Sequence, residues 1–280
     1  MINYKNIKLI ALDLDETTLN EKGKLTKRTQ NAIENAVSKG IYVVIASGRA
    51  YTALPVDLLH IKGINYAITS NGTAVYKLPE GKCISAYKLD AASVEKILEL
   101  REKYTITYEC FIDGVAYANS EYIENPPKFG VAERAKEYLQ KTRKPVDDIV
   151  AFMYDNKAQL DCIDIVVPDI YVRDEIAQLL NNTDSEVYVT SSVPALVEVS
   201  YKKAGKAAGL KIVADSLKIA LSDCIAFGNA DNDIDMLREC GIGVAVKNAT
   251  PNCLDAADII ASHHNMDGVA QIIEDILKNK

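Results

Sequence analysis

Residues 10–20 read IALDLDETTLN: an apolar run halts at two acids, Asp13 and Asp15, then gives way to Glu, Thr and Asn. Residues 7–13 have the largely apolar character of a strand buried on both faces within a parallel sheet. Acids at the end of such a strand are either solvated or placed for chemistry. Residues i and i+2 of an extended segment point to one side. Asp13 and Asp15 are therefore expected to face one site at the carboxyl edge of the sheet, where open α/β sheets bind ligands. The spacing alone is weak, because D-x-D recurs at 231/233 and 233/235.

The flanking sequence supplies the sheet. Residues 27–38 read as a helix, with Thr26 as N-cap and Gly40 just past its end. IYVVIAS (41–47) reads as a second buried strand, 50–60 as helical and NYAITS (65–70) as a third strand. The order β-α-β-α-β at short spacing predicts a doubly wound, Rossmann-like parallel sheet. The grammar returns after the middle of the chain: helix 204–217, strand 223–228, helix 232–239, strand 242–246, short helix 251–256, strand 258–260 and helix 267–278. Between them the pattern changes. Helices are expected near 91–103, 131–141 and 170–181, with strands near 105–112, 115–118, 161–167 and 186–190; Asp113-Gly114 marks a tight hairpin. The predicted fold is α/β, a doubly wound core of 1–82 and 195–280 with an inserted α+β cap domain over 83–194.

With 280 residues, about half of them hydrophobic and a quarter charged, the composition is that of a soluble globular protein able to bury a sizeable core. The formal net charge of −7 and the absence of a basic stripe argue against a nucleic-acid partner. The six cysteines are scattered without C-x-x-C spacing, against a zinc site or a disulfide framework. The acids follow the start too closely for a signal peptide, and no apolar run is long enough for a bilayer, so the expected compartment is the cytoplasm. Oligomeric state leaves no sign.

Other strand ends bring companions to the two acids. ASGR places Ser47, Gly48 and Arg49 at the same edge, where a hydroxyl and free N–H groups make an anion site. TSNG adds Asn71, FGNADND adds Asn229, Asn232 and Asp233, and Lys206 stands near the start of the preceding helix. Phosphoryl transfer needs this set: a carboxylate that attacks phosphorus, a second that moves a proton, a hard dication such as Mg²⁺, and a lysine and hydroxyl for the phosphoryl oxygens.

DLDETTL, ASGR, KKAGKAAGL and FGNADNDIDML, in that order, resemble the four motifs of the haloacid dehalogenase superfamily. The tail from 241 onward resembles its Cof-like sugar-phosphatase branch, which carries a large α+β cap. The resemblance implies Asp13 as nucleophile and, with the Asp15 carbonyl, Mg²⁺ ligand; Asp15 as general acid/base; and Ser47, Gly48, Lys206 and Asn232 around the phosphoryl group. It places Asn229 and Asp233 at the metal end, with Asn71 and Arg49 in support. The implied activity is Mg²⁺-dependent hydrolysis of small phosphorylated metabolites, sugar phosphates above all; phosphomutase and non-catalytic binding protein are the alternatives. Two residues depart from the pattern. Asn229 stands where the family usually has an Asp ligand, which predicts weaker Mg²⁺ binding, with Asp231 or Asp233 as nearby help. Glu16 stands where Gly is usual.

Overall fold

The computed structural model describes residue 4 and residues 6–183 and 186–279. They form two compact units, Met1–Arg49, Leu54–Ser85 and Gly205–Lys280 in one, Ala50–Ala53 and Ala86–Ala204 in the other.

The first unit is built on the strand quoted above. Leu9–Leu12 is wholly buried and pairs in parallel with Cys224–Gly228 on one side and Tyr42–Ala46 on the other. The sheet runs Ile259–Ala261, Ile242–Val246, Cys224–Gly228, Leu9–Leu12, Tyr42–Ala46, Ile64–Thr69, Ala74–Lys77 and Lys82–Ala86. Chain order reverses between Leu9–Leu12 and Cys224–Gly228, so the crevice at a topological switch opens at their carboxyl ends. Helices cover the sheet because its strands are apolar on both faces: Leu210, Val213 and Ala214 of the helix Lys206–Leu217 pack with Leu9, Val44 and Ile68. Ala74–Lys77 runs antiparallel to Ile64–Thr69. This edge pair of short strands, and with it the join at Ser85 rather than at residue 82, escapes a search for long apolar runs.

In the second unit the sheet order is Val187–Thr190, Leu196–Tyr201, Cys162–Val166, Thr107–Ile112, Val115–Asn119 and Arg143–Val146. The Asp113-Gly114 turn has φ of +49° and +76°, the left-handed pair that a two-residue hairpin requires. The expected boundary at 194/195 is wrong for a physical reason. Leu196–Tyr201 pairs on both sides within this sheet, but Glu198 and Ser200 interrupt its apolar pattern, and the chain returns to the first unit only at Gly205.

One face of this second sheet, with Tyr108, Cys110, Ile163, Ile165, Val197 and Val199, packs against helices. On the other, Glu109, Asp164 and Glu198 stand side by side in register on three neighbouring strands, all buried. Arg143 Nε donates to Glu109 Oε2 at 2.6 Å, the Tyr122 hydroxyl donates to Oε1 at 2.9 Å, and Ser192 Oγ donates to Glu198 Oε1 at 2.8 Å. Burial, then Glu198 and Glu109, push the Asp164 carboxyl well above the usual carboxylate range, against the pull of Arg143. A carboxyl raised in the folded state contributes stability that is complete below the unfolded value and is lost as pH rises through the raised one. Asp164→Asn, neutral throughout, is expected to gain on the wild type in melting temperature as pH rises above about 4. Thermal unfolding across that range checks this, and parallel pH profiles would contradict it.

Candidate active site

Three backbone devices assemble the rim of the first unit. The first follows Leu12, where Asp13 N–H still donates to Phe227 O at 3.1 Å but the strand has ended. Thr18 Oγ1 donates to Asp13 O at 2.6 Å and Leu19 N–H to Leu14 O at 2.9 Å, which closes a tight turn around Glu16 at φ +55°. That left-handed backbone is the reason Gly suits this place, and Glu16 adopts it at a cost of about 1 kcal/mol.

The second device is Ser70-Asn71-Gly72, with φ of +49°, +52° and +85°. A Cβ on Gly72 would stand 1.9 Å from Gly205 O, and Gly205 N–H donates to Asn71 O at 3.0 Å. Two glycines thus let the chain re-enter the unit backbone against backbone, and the helix it begins there carries Lys206 as its first residue. The third is Gly228, where a Cβ would lie 2.4 Å from Asp233 Cβ, so Asp233 packs flush against the strand end.

The three devices meet at Lys206. Its ammonium, 1% exposed, donates to Asp13 Oδ1 at 2.7 Å and to Asp233 Oδ1 at 2.6 Å. Asp233 Oδ2 accepts from the N–H groups of Asn229 at 2.9 Å and Ala230 at 3.1 Å. Burial and the neighbouring Asp233 push the Asp13 carboxyl up to about 7, against Lys206 and a hydrogen bond from Thr17. Burial opposes the Lys206 charge, but Asp13 and Asp233 outweigh it and raise the ammonium above its ordinary value. Two buried carboxylates on one ammonium leave a surplus of negative charge.

Beyond Asp13 Oδ2 lies a convergence of acceptors. The inner end of the Asn229 carboxamide stands 3.2 Å from Asp13 Oδ2, 3.2 Å from the Asp15 carbonyl oxygen and 3.1 Å from Thr17 Oγ1. Ligands of an octahedral Mg²⁺ stand about 3 Å from one another. An amide at that spacing from a carboxylate oxygen and from a carbonyl, beside surplus negative charge, fits a hard dication. Among the described residues no three His, Cys, Asp or Glu side chains form a metal cluster, so backbone and amide oxygens would have to complete the donor set. Asp231 is turned away: Thr250 Oγ1 donates to its Oδ1 at 2.7 Å. Both oxygens of Asp233 are engaged with Lys206 and the loop, which gives it the place of a lysine partner and loop clasp.

Asp15 does not share a side with Asp13. The strand ends before them, so alternation no longer applies, and the Asp15 carboxylate, 56% exposed, lies in the fork of Arg49, with Nε at 2.8 Å and an outer nitrogen at 2.6 Å. Ser47 is buried, and its Oγ accepts from Arg49 N–H at 3.2 Å, which leaves its own hydrogen to donate. A Cβ on Gly48 would stand 3.0 Å from Asn71 Oδ1. Asn232 Nδ2 donates to that same oxygen at 2.9 Å, so Asn232 sets which way the Asn71 amide points, with its NH₂ directed elsewhere. Among the described residues Asn232 Oδ1 is buried without a partner. His264 packs structurally, Nδ1 at 2.9 Å from Leu19 O. Sequence reasoning missed Thr17, 1% exposed; its only signal was a hydroxyl two residues after Asp15.

The family model of haloacid dehalogenase-like hydrolases matches residues 10–273. The chain is similar to the 5-amino-6-(5-phospho-D-ribitylamino)uracil phosphatase YcsE of Bacillus subtilis, 28% identical over 96% of this chain and 95% of the relative. The phosphatase YwpJ of the same organism is 28% identical over 97% and 100%. A solved haloacid dehalogenase-like hydrolase from B. subtilis superposes with a TM-score of 0.82 at 26% identity, over 96% of this chain and 99% of that one.

Removing one partner of a buried ion pair leaves an uncompensated charge, at about 3–5 kcal/mol. Lys206→Met is expected to lose that much stability to urea without divalent ions. Lys206→Met combined with Asp13→Asn should recover part of the loss. A double variant as unstable as the sum of its two single changes would show that the charges are uncoupled.

Proposed function

This chain belongs to the haloacid dehalogenase-like hydrolase family and is a phosphatase; from that premise we propose that it hydrolyses small phosphorylated metabolites, sugar phosphates foremost, through an aspartyl-phosphate on Asp13. One observation carries the reading. A buried carboxylate at the switch point has one oxygen on an ammonium and the other 3.2 Å from an amide that also meets the Asp15 carbonyl. The named substrate of the Bacillus relative, a phosphorylated ribityl compound, supports the substrate class. The unit containing residues 86–204 is proposed as the substrate-specificity domain.

Mg²⁺ would be held by Asp13 Oδ2, the Asp15 carbonyl and the Asn229 amide oxygen, and when bound it supplies positive charge that offsets repulsion between carboxylate and phosphate. Asp13 Oδ attacks phosphorus as the bond to the leaving oxygen breaks. Asp15 donates a proton to that oxygen. It then takes a proton from the water that attacks the phosphorus of the acyl phosphate, which restores the Asp13 carboxylate and releases inorganic phosphate. Asp15 must leave the Arg49 fork to do this, and it is the more exposed member of that pair. Lys206 and the Ser47 hydroxyl donate to the phosphoryl oxygens, joined by the Gly48 N–H and the Asn71 NH₂. Asn232 acts through Asn71 by fixing its amide. Asp233 holds Lys206 in place when Asp13 is phosphorylated and its charge is consumed.

Phosphate release from a panel of phosphorylated sugars, sugar alcohols and nucleotides, with Mg²⁺ and no added bisphosphate, ranks substrates by kcat/KM. Asp13→Asn is expected to lower kcat by at least about a thousandfold and Asp15→Asn by about 10²–10⁴. Undiminished turnover in Asp13→Asn would remove the aspartyl-phosphate route. Transfer that depends on a bisphosphate, with no release to water, would identify a mutase.

A further inference from the structure

Asn229 is pinned through its main chain: its N–H donates to Asp233 Oδ2 at 2.9 Å and its carbonyl accepts from Thr250 N–H at 2.8 Å. Its side chain has one position and two chemically distinct orientations. With the NH₂ inward, its two hydrogens face three acceptors, the Asp15 carbonyl at 3.2 Å, Thr17 Oγ1 at 3.1 Å and Asp13 Oδ2 at 3.2 Å. With the oxygen inward, the Thr17 hydroxyl donates to it at 3.1 Å, and the same place holds an acceptor facing two further acceptors. A cation among the three makes that second arrangement favourable. A half-turn of the terminal amide exchanges the two states without moving a heavy-atom position. Thr17 serves both because a hydroxyl accepts in one and donates in the other.

We propose that Asn229 is a rotating latch of the cation site, NH₂ inward when no cation is bound and oxygen inward when Mg²⁺ is seated. This inference rests on the Mg²⁺ reading of the site given above. An aspartate cannot perform this exchange. It has no hydrogen to offer Asp13, and it would place a third, half-buried acid beside Asp13 and Asp233, which already share the single Lys206 ammonium. The amide therefore gives the metal-free protein an internal substitute for the cation, and Mg²⁺ must displace the hydrogen bonds of that NH₂ to enter. Weak, readily reversible metal occupancy follows, with a site that stays ordered between occupancies.

The test follows the side-chain amide signals by ¹⁵N NMR in the intact protein, with the Asn229 pair identified by its absence from Asn229→Ala. In metal-free wild type that pair should exchange slowly with solvent. Titration with MgCl₂ should shift it and speed its exchange along the same curve that calorimetry gives for Mg²⁺ binding. Asn229→Asp should bind Mg²⁺ at least tenfold more tightly, yet melt below the wild type when metal-free. Mg²⁺ binding with an unmoved Asn229 amide signal overturns the latch and leaves the metal reading intact. A metal-free Asn229→Asp protein as stable as the wild type overturns it as well. Calorimetry that detects no Mg²⁺ binding to either protein overturns the metal reading and the latch together, while phosphate release is measured separately.

Discussion

The ammonium of Lys206 ties the site together. It sits between Asp13 and Asp233 at 2.7 and 2.6 Å with almost no exposure. A buried charge is tolerated only where it is paired and hydrogen-bonded, so the two carboxylates and the lysine specify one another's positions. Asp13 ends the central strand, Lys206 begins the helix laid over the sheet, and Asp233 closes the loop after Cys224–Gly228. One contact thereby joins segments almost two hundred residues apart in sequence. The surplus negative charge it leaves lies beside the oxygens proposed above to hold Mg²⁺.

Access to that contact depends on backbone more than on side chains. Gly72 and Gly205 allow the helix start to press on the turn after the third strand, and Gly228 allows Asp233 to lie against a strand end. Electrostatics is handled differently in the two units. In the first, buried acids share a lysine and face a set of acceptors. In the second, three acids stand in register; Arg143 pairs with Glu109, Ser192 donates to Glu198, and burial beside both glutamates raises the Asp164 carboxyl.

Much of this was legible in the residues. Leu9–Leu12, Tyr42–Ala46 and Cys224–Gly228 announce themselves because strands buried on both faces are apolar at every position. The motif segments around Asp13, Ser47, Lys206 and Asn229 pointed to one rim, and all four lie in the unit built on that sheet. Ala74–Lys77 and Lys82–Ala86 were hidden because short edge strands lack that signature. Leu196–Tyr201 was hidden because Glu198 points into a buried face that composition alone would call solvent. The pairing of Asp15 with Arg49 was illegible for another reason: alternation presumes an extended chain, and the chain turns at Asp13.

Residue type and order determined the fold class, the parallel sheet and the inventory of groups at its edge, because burial periodicity and turn chemistry are local properties of the chain. Partnership was decided only by tertiary structure. Which acid binds Lys206, which faces Arg49, that Asp231 turns to Thr250, and that an amide rather than a carboxylate meets the Asp13 and Asp15 oxygens all depend on distances of a few ångströms between distant segments. Hydrogen bonds and ion pairs fall off over that same range, so no spacing along the sequence could have resolved them.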